Sequence, residues 1–411
     1  MRRVVITGVG VVSPVGNTVE EFWNSLVNGR CGIDFITKFD TADFKVKIAA
    51  EVKGFDPHDY MEKGEIRKTD LFAQFAVAAA SQAMADSGIA GTVDPDRIGV
   101  YVGSGIGGMD TFIKECDKYL KGGPRKVSPL FVPMMIANMA SGNIAIKFNA
   151  QGPCLPVVTA CATSTHALGE AFRTVEGGHA DAVIAGGAEA AINPLAIAGF
   201  TNCMALSATN IPEESSLPFD KRRGGFVMGE GAGILILEEY EHAKARGAKI
   251  YAEICGYGNT CDAHHITAPH PEAVGGAKAI ALALEEAGYQ PDDEIYINAH
   301  GTGTPLNDKS ETIAVKKALG EKAYQVSISS TKSMTGHMLG AAGAVEAIAS
   351  ALALRDGIIP PTIGLQEKDP DCDLDYTPNT ARKKETNLAL SVSLGFGGHN
   401  ACIALRKYTG E

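Results

Sequence analysis

Short apolar runs alternate with longer stretches of helical periodicity along almost the whole chain. Residues 2–12 and 97–102 are the first two runs of strand length, and between them residues 70–87 repeat apolar positions at helical spacing through Phe72, Phe75, Ala79 and Ala83. Strands are predicted next at 157–160, 181–185 and 233–237, with helices at 162–176 and 239–246. The later part of the chain repeats the theme, with strands at 250–256, 295–299 and 326–329 and helices at 274–287, 309–319 and 340–355. A closing hairpin of 388–394 with 401–405 turns across Gly395-Phe396-Gly397-Gly398. Strands separated by helices predict an α/β fold with mostly parallel, buried sheets. No linker rich in Pro or Ser divides the chain, and no short repeat is present. There is a looser echo: the strand at 157–160 leads into Cys161 and a helix, and the strand at 326–329 leads into Lys332, His337 and a helix. Two similar α/β halves packed into one body account for both.

Composition narrows the function more than the fold. The 411 residues fit two or three domain-sized units or one large body of two halves. Hydrophobic residues at 45% and charged residues at 21% support a sizeable core and exclude disorder as the main reading. With 37 basic and 48 acidic residues the net charge is −11, which argues against nucleic acid as the partner but leaves room for a local basic patch. No apolar run reaches the roughly 18 residues of a membrane span, so no membrane role is expected. The basic start followed by residues 4–12 has the outline of a signal peptide. However, Ser13-Pro14-Val15-Gly16-Asn17 reads as a turn rather than a cleavage site, and a first strand is the expectation. Nine cysteines in no pairing pattern point to a reduced, cytoplasmic compartment, with most thiols buried and inert. The 47 glycines suggest many tight turns and close backbone approaches.

Candidate chemistry falls at strand ends. Gly103-Ser104-Gly105-Ile106-Gly107-Gly108 fits G-x-G-x-x-G after a strand, but no acid follows near Ser128, so a turn or pocket wall is expected there rather than a dinucleotide site. Cys255, Cys261, His264, His265 and His270 match no zinc spacing, and no metal site is expected. Cys161, in Thr159-Ala160-Cys161-Ala162-Thr163-Ser164, sits where a buried strand meets a helix. Small neighbours would admit a substrate, and a helix N-terminus would lower the thiol pKa; nucleophile and structural cysteine both remain open. His300 opens His300-Gly301-Thr302-Gly303-Thr304-Pro305 directly after a strand, and His337 closes Thr331-Lys332-Ser333-Met334-Thr335-Gly336-His337 after another. A cysteine and two histidines, each at the C-terminal end of a strand, form a plausible set for nucleophilic catalysis.

Together with Val4-Val5-Ile6-Thr7-Gly8, Ala185-Gly186-Gly187-Ala188-Glu189, Pro218-Phe219-Asp220 and the stretch Gly225-Phe226-Val227-Met228-Gly229-Glu230-Gly231-Ala232-Gly233, these motifs run in an order that resembles the β-ketoacyl-acyl-carrier-protein synthases, most closely their synthase II type. The resemblance covers essentially the whole chain. It implies a thiolase-like, duplicated five-layered α/β/α/β/α fold, with a half at 1–250 carrying Cys161 and a half at 251–411 carrying His300 and His337, and a homodimer. The implied activity is an acyltransferase reaction of fatty-acid elongation: decarboxylative Claisen condensation of malonyl carrier protein with an acyl group held on Cys161. No redox cofactor is implied; the phosphopantetheine arrives on acyl carrier protein, the expected partner, with acyl and malonyl thioesters as substrates. Cys161 is the implied nucleophile and His300 with His337 the catalytic pair, with Lys332 and Glu346 in support. Thr302 and Thr304 match positions that bond the pantetheine arm, and Ile106 a position lining the acyl tunnel. Phe396 matches the gatekeeping aromatic, whose N–H joins that of Cys161 in an oxyanion hole. Loops 262–269 and 395–400 would gate access. Lys63, Arg67, Lys68, Arg125 and Lys126 match the cationic patch for an acidic carrier. A structural monovalent cation near Asn298, Ala299 and Glu346 is a further implication.

Two positions depart from the pattern. His399 stands where many members have Thr, which bears on the hydrogen bonding of the gating loop, and Met204 stands where many have Arg, which removes one cation from the docking surface. A polyketide-type ketosynthase shares the same triad. A degradative thiolase would need a second cysteine near the C-terminus, and Cys402 lies inside a predicted strand instead. A non-catalytic partner subunit would lack the nucleophile.

Overall fold

The structure is a computed structural model and describes residues 1–410. Nine strands form one mixed sheet: β1 Val4–Val12, β2 Ile98–Gly103, β3 Ala182–Glu189, β4 Gly231–Glu239, β5 Ala252–Cys261, β6 Ile295–Asn298, β7 Ser327–Ser329, β8 Leu388–Gly395 and β9 His399–Lys407. Their order is β2-β3-β4-β1-β5-β9-β8-β6-β7. The expectation of mostly parallel sheets is corrected: β2–β3, β8–β6 and β6–β7 are parallel, and the remaining neighbours are antiparallel. Burial on both faces does hold, since all nine residues of β1 are buried. Apolar runs record this burial but not strand direction.

The strand order repeats. β1-β4-β3-β2 and β5-β9-β8-β6 follow the same sequence of directions, and β7 completes the second set. Its counterpart in the first set is a short extended piece beside β2. Val100 N–H donates to Pro153 O at 2.8 Å, Leu155 N–H donates to Val100 O at 3.0 Å, and Val100 and Cys154 form a parallel bridge. The strand expected at 157–160 therefore lies a few residues earlier, because those residues are used to turn into Cys161. β1 and β5 join the two sets through Val4 opposite Ile254, Val5 opposite Glu253 and Ile6 opposite Ala252.

Five helices position the rest: α1 Leu71–Ser87, α2 Thr163–Glu176, α3 Val274–Glu286, α4 Pro305–Leu319 and α5 Ala342–Asp356. α2 and α5 pack on each other and touch strands of both sets. α1 covers β1 and β4 on the far side of the first set, and α3, backed by α4, covers β5 and β9 of the second. The layers are thus α1, a sheet half, α2 with α5, a sheet half, and α3 with α4. Residues 342–354 of α5 are all buried, as a helix apolar on every side requires. The helices of the outer layers sit unusually close to the strands. A Cβ on Gly10 would stand 2.0 Å from Ala79 O, and one on Gly258 would stand 1.8 Å from Ala279 O. The same glycine-to-alanine contact is made twice in each half, by Gly8 with Ala83 and Gly10 with Ala79 and by Gly256 with Ala283 and Gly258 with Ala279.

Among the described residues all nine cysteines are free. Only Cys372 and Cys402 are buried, while Cys154, Cys203 and Cys261 are exposed, so the expectation of mostly buried thiols is corrected.

Candidate active site

Cys161 lies in a single 3₁₀ turn, Ala160–Ala162, that runs into α2. Ala160 is left-handed, with φ of 51°, which costs a non-glycine residue about 1–2 kcal/mol and aims the next side chain out of the strand's line. Gly395 at the end of β8 lies against this turn: a Cβ there would be 2.9 Å from Thr159 O and 3.3 Å from Cys161 N. That closeness brings the N–H of Phe396, with that of Cys161 itself, near the sulfur, where both favour the thiolate. Burial nonetheless pushes the Cys161 thiol up to about 12; Lys332 and these N–H groups pull it down, and Glu189 adds to the rise. The expectation of a lowered pKa is corrected. Desolvation of the sulfur outweighs the helix start, although Cys161 stays partly exposed on the cavity wall.

Cys161, His300, His337, Thr302, Thr304 and Phe396 all line one cavity of about 370 Å³. The imidazoles of His300 and His337 stand 5.2 Å apart at 85°. Both nitrogens of His337 and Nδ1 of His300 are buried without a protein partner. Burial, reinforced by the nearby Lys332 charge, holds both imidazoles well below the usual histidine range, so both are neutral at pH 7. Their backbones are pinned from behind. His300 N–H and Gly301 N–H donate to the two oxygens of Glu311 at 2.6 and 2.7 Å. His337 N–H donates to Val227 O at 2.7 Å, and its carbonyl accepts from Gly229 N–H at 2.8 Å. Phe226 stands edge-on to the His337 ring at 5.1 Å. The hydroxyls of Thr302 and Thr304 are 3.0 Å apart on the cavity wall.

Lys332 and Glu346 form a buried ion pair just behind this wall, not on it. Ile106 is not brought to the cavity: it is 38% exposed, with its N–H on Glu189. The glycine-rich loop that holds it wraps the Glu189 carboxylate, in keeping with a structural turn. Asn298 Oδ1 and Glu346 Oε2 are buried oxygens without partners. These are hard donors suited to a monovalent cation, which Asn298, Ala299 and Glu346 would hold.

Models of the families "Beta-ketoacyl synthase, N-terminal domain" and "Beta-ketoacyl synthase, C-terminal domain" match residues 1–243 and 251–366. The chain belongs to the β-ketoacyl synthase family. It is 51% identical over 409 residues, 99% of its own length and 98% of the relative's, to a protein of Synechocystis named 3-oxoacyl-[acyl-carrier-protein] synthase 2. A β-ketoacyl synthase of Burkholderia phymatum shares its fold at a TM-score of 0.92 and 36% identity, each chain covering the other completely. A type II polyketide ketosynthase, solved in complex with its acyl-carrier protein, gives a TM-score of 0.92 at 37% identity, covering 99% of this chain and all of that one.

Around the cavity mouth of this β-ketoacyl synthase the two expected gating loops are tied together. Asp262 N–H donates to Gly398 O and Gly397 N–H to Ile266 O, each at 2.8 Å, while the Asp262 carboxylate accepts from Asn400 Nδ2 and His270 N–H at 2.9 Å. His399 packs edge-on against His166, ring centres 6.2 Å apart. His166 in turn bonds Thr159 Oγ1 at 2.8 Å and Asn259 Oδ1 at 3.0 Å. Met204 is almost fully exposed at the cavity rim. Lys63, Arg67, Lys68, Arg125 and Lys126 are all exposed, and none has an ion-pair partner among the described residues. Sequence reasoning missed Glu189, Glu311 and the loop-tying role of Asp262. A signal existed for Glu311 only, as an acid placed to reach back to the His300 segment from the first turns of α4. No described helix is long and apolar enough to cross a membrane.

Proposed function

We propose that the chain catalyses the decarboxylative condensation of malonyl carrier protein with an acyl group held on Cys161, giving a 3-oxoacyl carrier protein and CO₂ in fatty-acid elongation. The observation that carries this reading is the convergence of Cys161 with two neutral, unpartnered imidazoles on one cavity. Relatives named 3-oxoacyl-[acyl-carrier-protein] synthase 2, at 51% identity, favour it over a polyketide role.

Cys161 Sγ attacks the acyl thioester carbonyl. The N–H groups of Cys161 and Phe396 are placed to receive the oxyanion, each such donor contributing about 3 kcal/mol. The thiol proton passes by way of a cavity imidazole to the leaving pantetheine sulfur, which a thiol held near 12 requires. The malonyl thioester then loses CO₂; its bonding pair moves toward the thioester oxygen, where His300 and His337 donate as neutral imidazoles. The resulting carbanion attacks acyl-Cys161, the thioester C–S bond breaks, and the released Cys161 thiolate takes up a proton from solvent, the first one having left on the pantetheine thiol. Thr302 and Thr304 would bond the pantetheine arm, and Lys332 with Glu346 would fix the electrostatics behind the histidines. A monovalent cation held by Asn298, Ala299 and Glu346 would supply fixed positive charge beside that ion pair.

The chain is read as two halves, 1–250 and 251–411, on the repeat of strand order. A homodimer is supported by the half-exposed Leu155 and Val158 on the outer strand edge, and an acidic acyl carrier protein by the unpaired cations. A cytoplasmic location accords with the free thiols. Purified protein given acyl and malonyl carrier proteins should release CO₂ and form the 3-oxoacyl product, and Cys161→Ser should form neither the acyl-enzyme nor that product. Normal condensation by that variant would overturn the reading.

A further inference from the structure

Glu189 is a buried carboxylate that the condensation steps do not use. It is fully inaccessible and pairs with no cation among the described residues. Each of its oxygens accepts two hydrogen bonds. Ser104 Oγ and Ile106 N–H reach Oε1 at 2.8 and 3.2 Å, and Gly105 N–H and Gly340 N–H reach Oε2 at 2.9 and 3.0 Å. Ser104 Oγ itself accepts from Gly107 N–H at 2.9 Å, so its own proton points at Glu189. A proton on Glu189 would find no acceptor, and the carboxylate is therefore ionised although burial works against it.

The donors come from two places. Residues 104–106 follow β2 in the first half, while Gly340 belongs to the 3₁₀ turn Leu339–Ala341 that leads into α5 in the second. This turn is the second half's copy of the Cys161 turn: Leu339 is left-handed like Ala160, with φ of 46° against 51°, and each turn opens a central helix. Gly105 lies between the carboxylate and the nucleophile's turn. A Cβ on it would be 2.8 Å from Glu189 Oε2, 3.5 Å from Ala160 O and 3.6 Å from Gly340 N.

From this geometry we propose that Glu189 is a positioning residue: an obligate anion that clamps the glycine-rich loop and the second-half turn against Cys161 and opposes the Lys332 charge at its sulfur. The inference rests on Cys161 as nucleophile. The charged and titratable groups around that sulfur are Glu189 and Lys332, the latter paired with Glu346, together with His300, His337, Cys203 and Asp262 along the cavity. Burial raises the thiol most; with both imidazoles neutral and Lys332 already paired with Glu346, the Glu189 charge adds to that rise. A buried, unpaired anion thereby adds to what keeps the thiol protonated.

The test is the pH profile of Cys161 alkylation by iodoacetamide, followed on the Cys161 peptide by mass spectrometry. It reads the thiol directly, so it stands apart from the turnover assay that decides whether Cys161 is the nucleophile. Glu189→Gln keeps the shape and removes the charge, and should move the profile to lower pH by about one unit. Ser104→Ala removes one donor while the other three keep the carboxylate ionised and less neutralised, and should move the profile to higher pH. These opposite shifts are not expected of a general loosening. A Glu189→Gln profile that coincides with wild type or moves upward overturns the proposal. If Glu189→Gln does not fold, Ser104→Ala decides alone, and an unmoved or lowered profile overturns it.

Discussion

At the residue scale the site combines one strained turn, two neutral imidazoles and a set of buried charges. His300→Ala should still allow substantial acylation of Cys161 but lose malonyl decarboxylation, measured as CO₂ release separately from acyl-enzyme mass; unimpaired CO₂ release would remove His300 from that role. His337 also leaves a mark on stability. Its pKa in the fold is held well below the usual value near 6.5, so below that pH the unfolded chain binds the extra proton. The contribution of the neutral ring is complete above pH 6.5 and is lost as pH falls, at up to about 1.4 kcal/mol per unit. Urea unfolding of wild type and His337→Asn should therefore show a stability difference that shrinks in favour of the variant between pH 7.5 and 5.5. Cys161, His300 and His337 were legible in the sequence because each stands in a small-residue motif directly after a strand. Glu189 was not: its partners lie 83 to 85 residues before it and 151 residues after it, and nothing local separates a buried carboxylate from a surface one. The direction of the Cys161 shift was misread for the same reason, since the helix start is local and the burial is not.

At the scale of elements, the β8–β9 hairpin reaches the reaction directly. Gly395→Ala would place a methyl 2.9 Å from Thr159 O and push the Cys161 turn, and a shift of this kind should slow acyl-enzyme formation by about 10²-fold while the chain stays folded. Stopped-flow acylation monitored by intact mass would check this. Asp262 ties the two loops at the cavity mouth, so Asp262→Ala should raise amide hydrogen exchange together in 262–270 and 396–400 and leave α5 protected; exchange confined to one loop would separate them. Most long elements were visible from periodicity to within a few residues. Val19–Val27, Met139–Phe148 and Pro194–Asn202 were not, being shorter, whereas Met109–Gly122, as long as α2 and amphipathic, was overlooked although the sequence carried its signal. Strand direction was also hidden, because a strand covered on both faces is apolar throughout whichever way its neighbours run.

At the scale of the whole molecule, a net charge of −11 coexists with five exposed, unpaired cations on residues 63–68 and 125–126. Arg67→Glu with Lys68→Glu should raise KM for carrier-bound substrates, most strongly at low salt, and leave small-molecule thioesters nearly unaffected. An equal effect on both substrate kinds would place those residues elsewhere in the mechanism. The two-half body was legible only as an echo of strand, turn and helix; its proof lies in strand order, which requires the pairings. That order has a consequence for how the chain is made. β1 pairs with β4 more than two hundred residues later, and β9, the last strand, sits between β5 and β8 in the interior of the sheet. A polypeptide leaving the ribosome can close its first half only after Glu239 has emerged and its second only after Lys407, so β9 acts as the keystone of the sheet rather than its fringe.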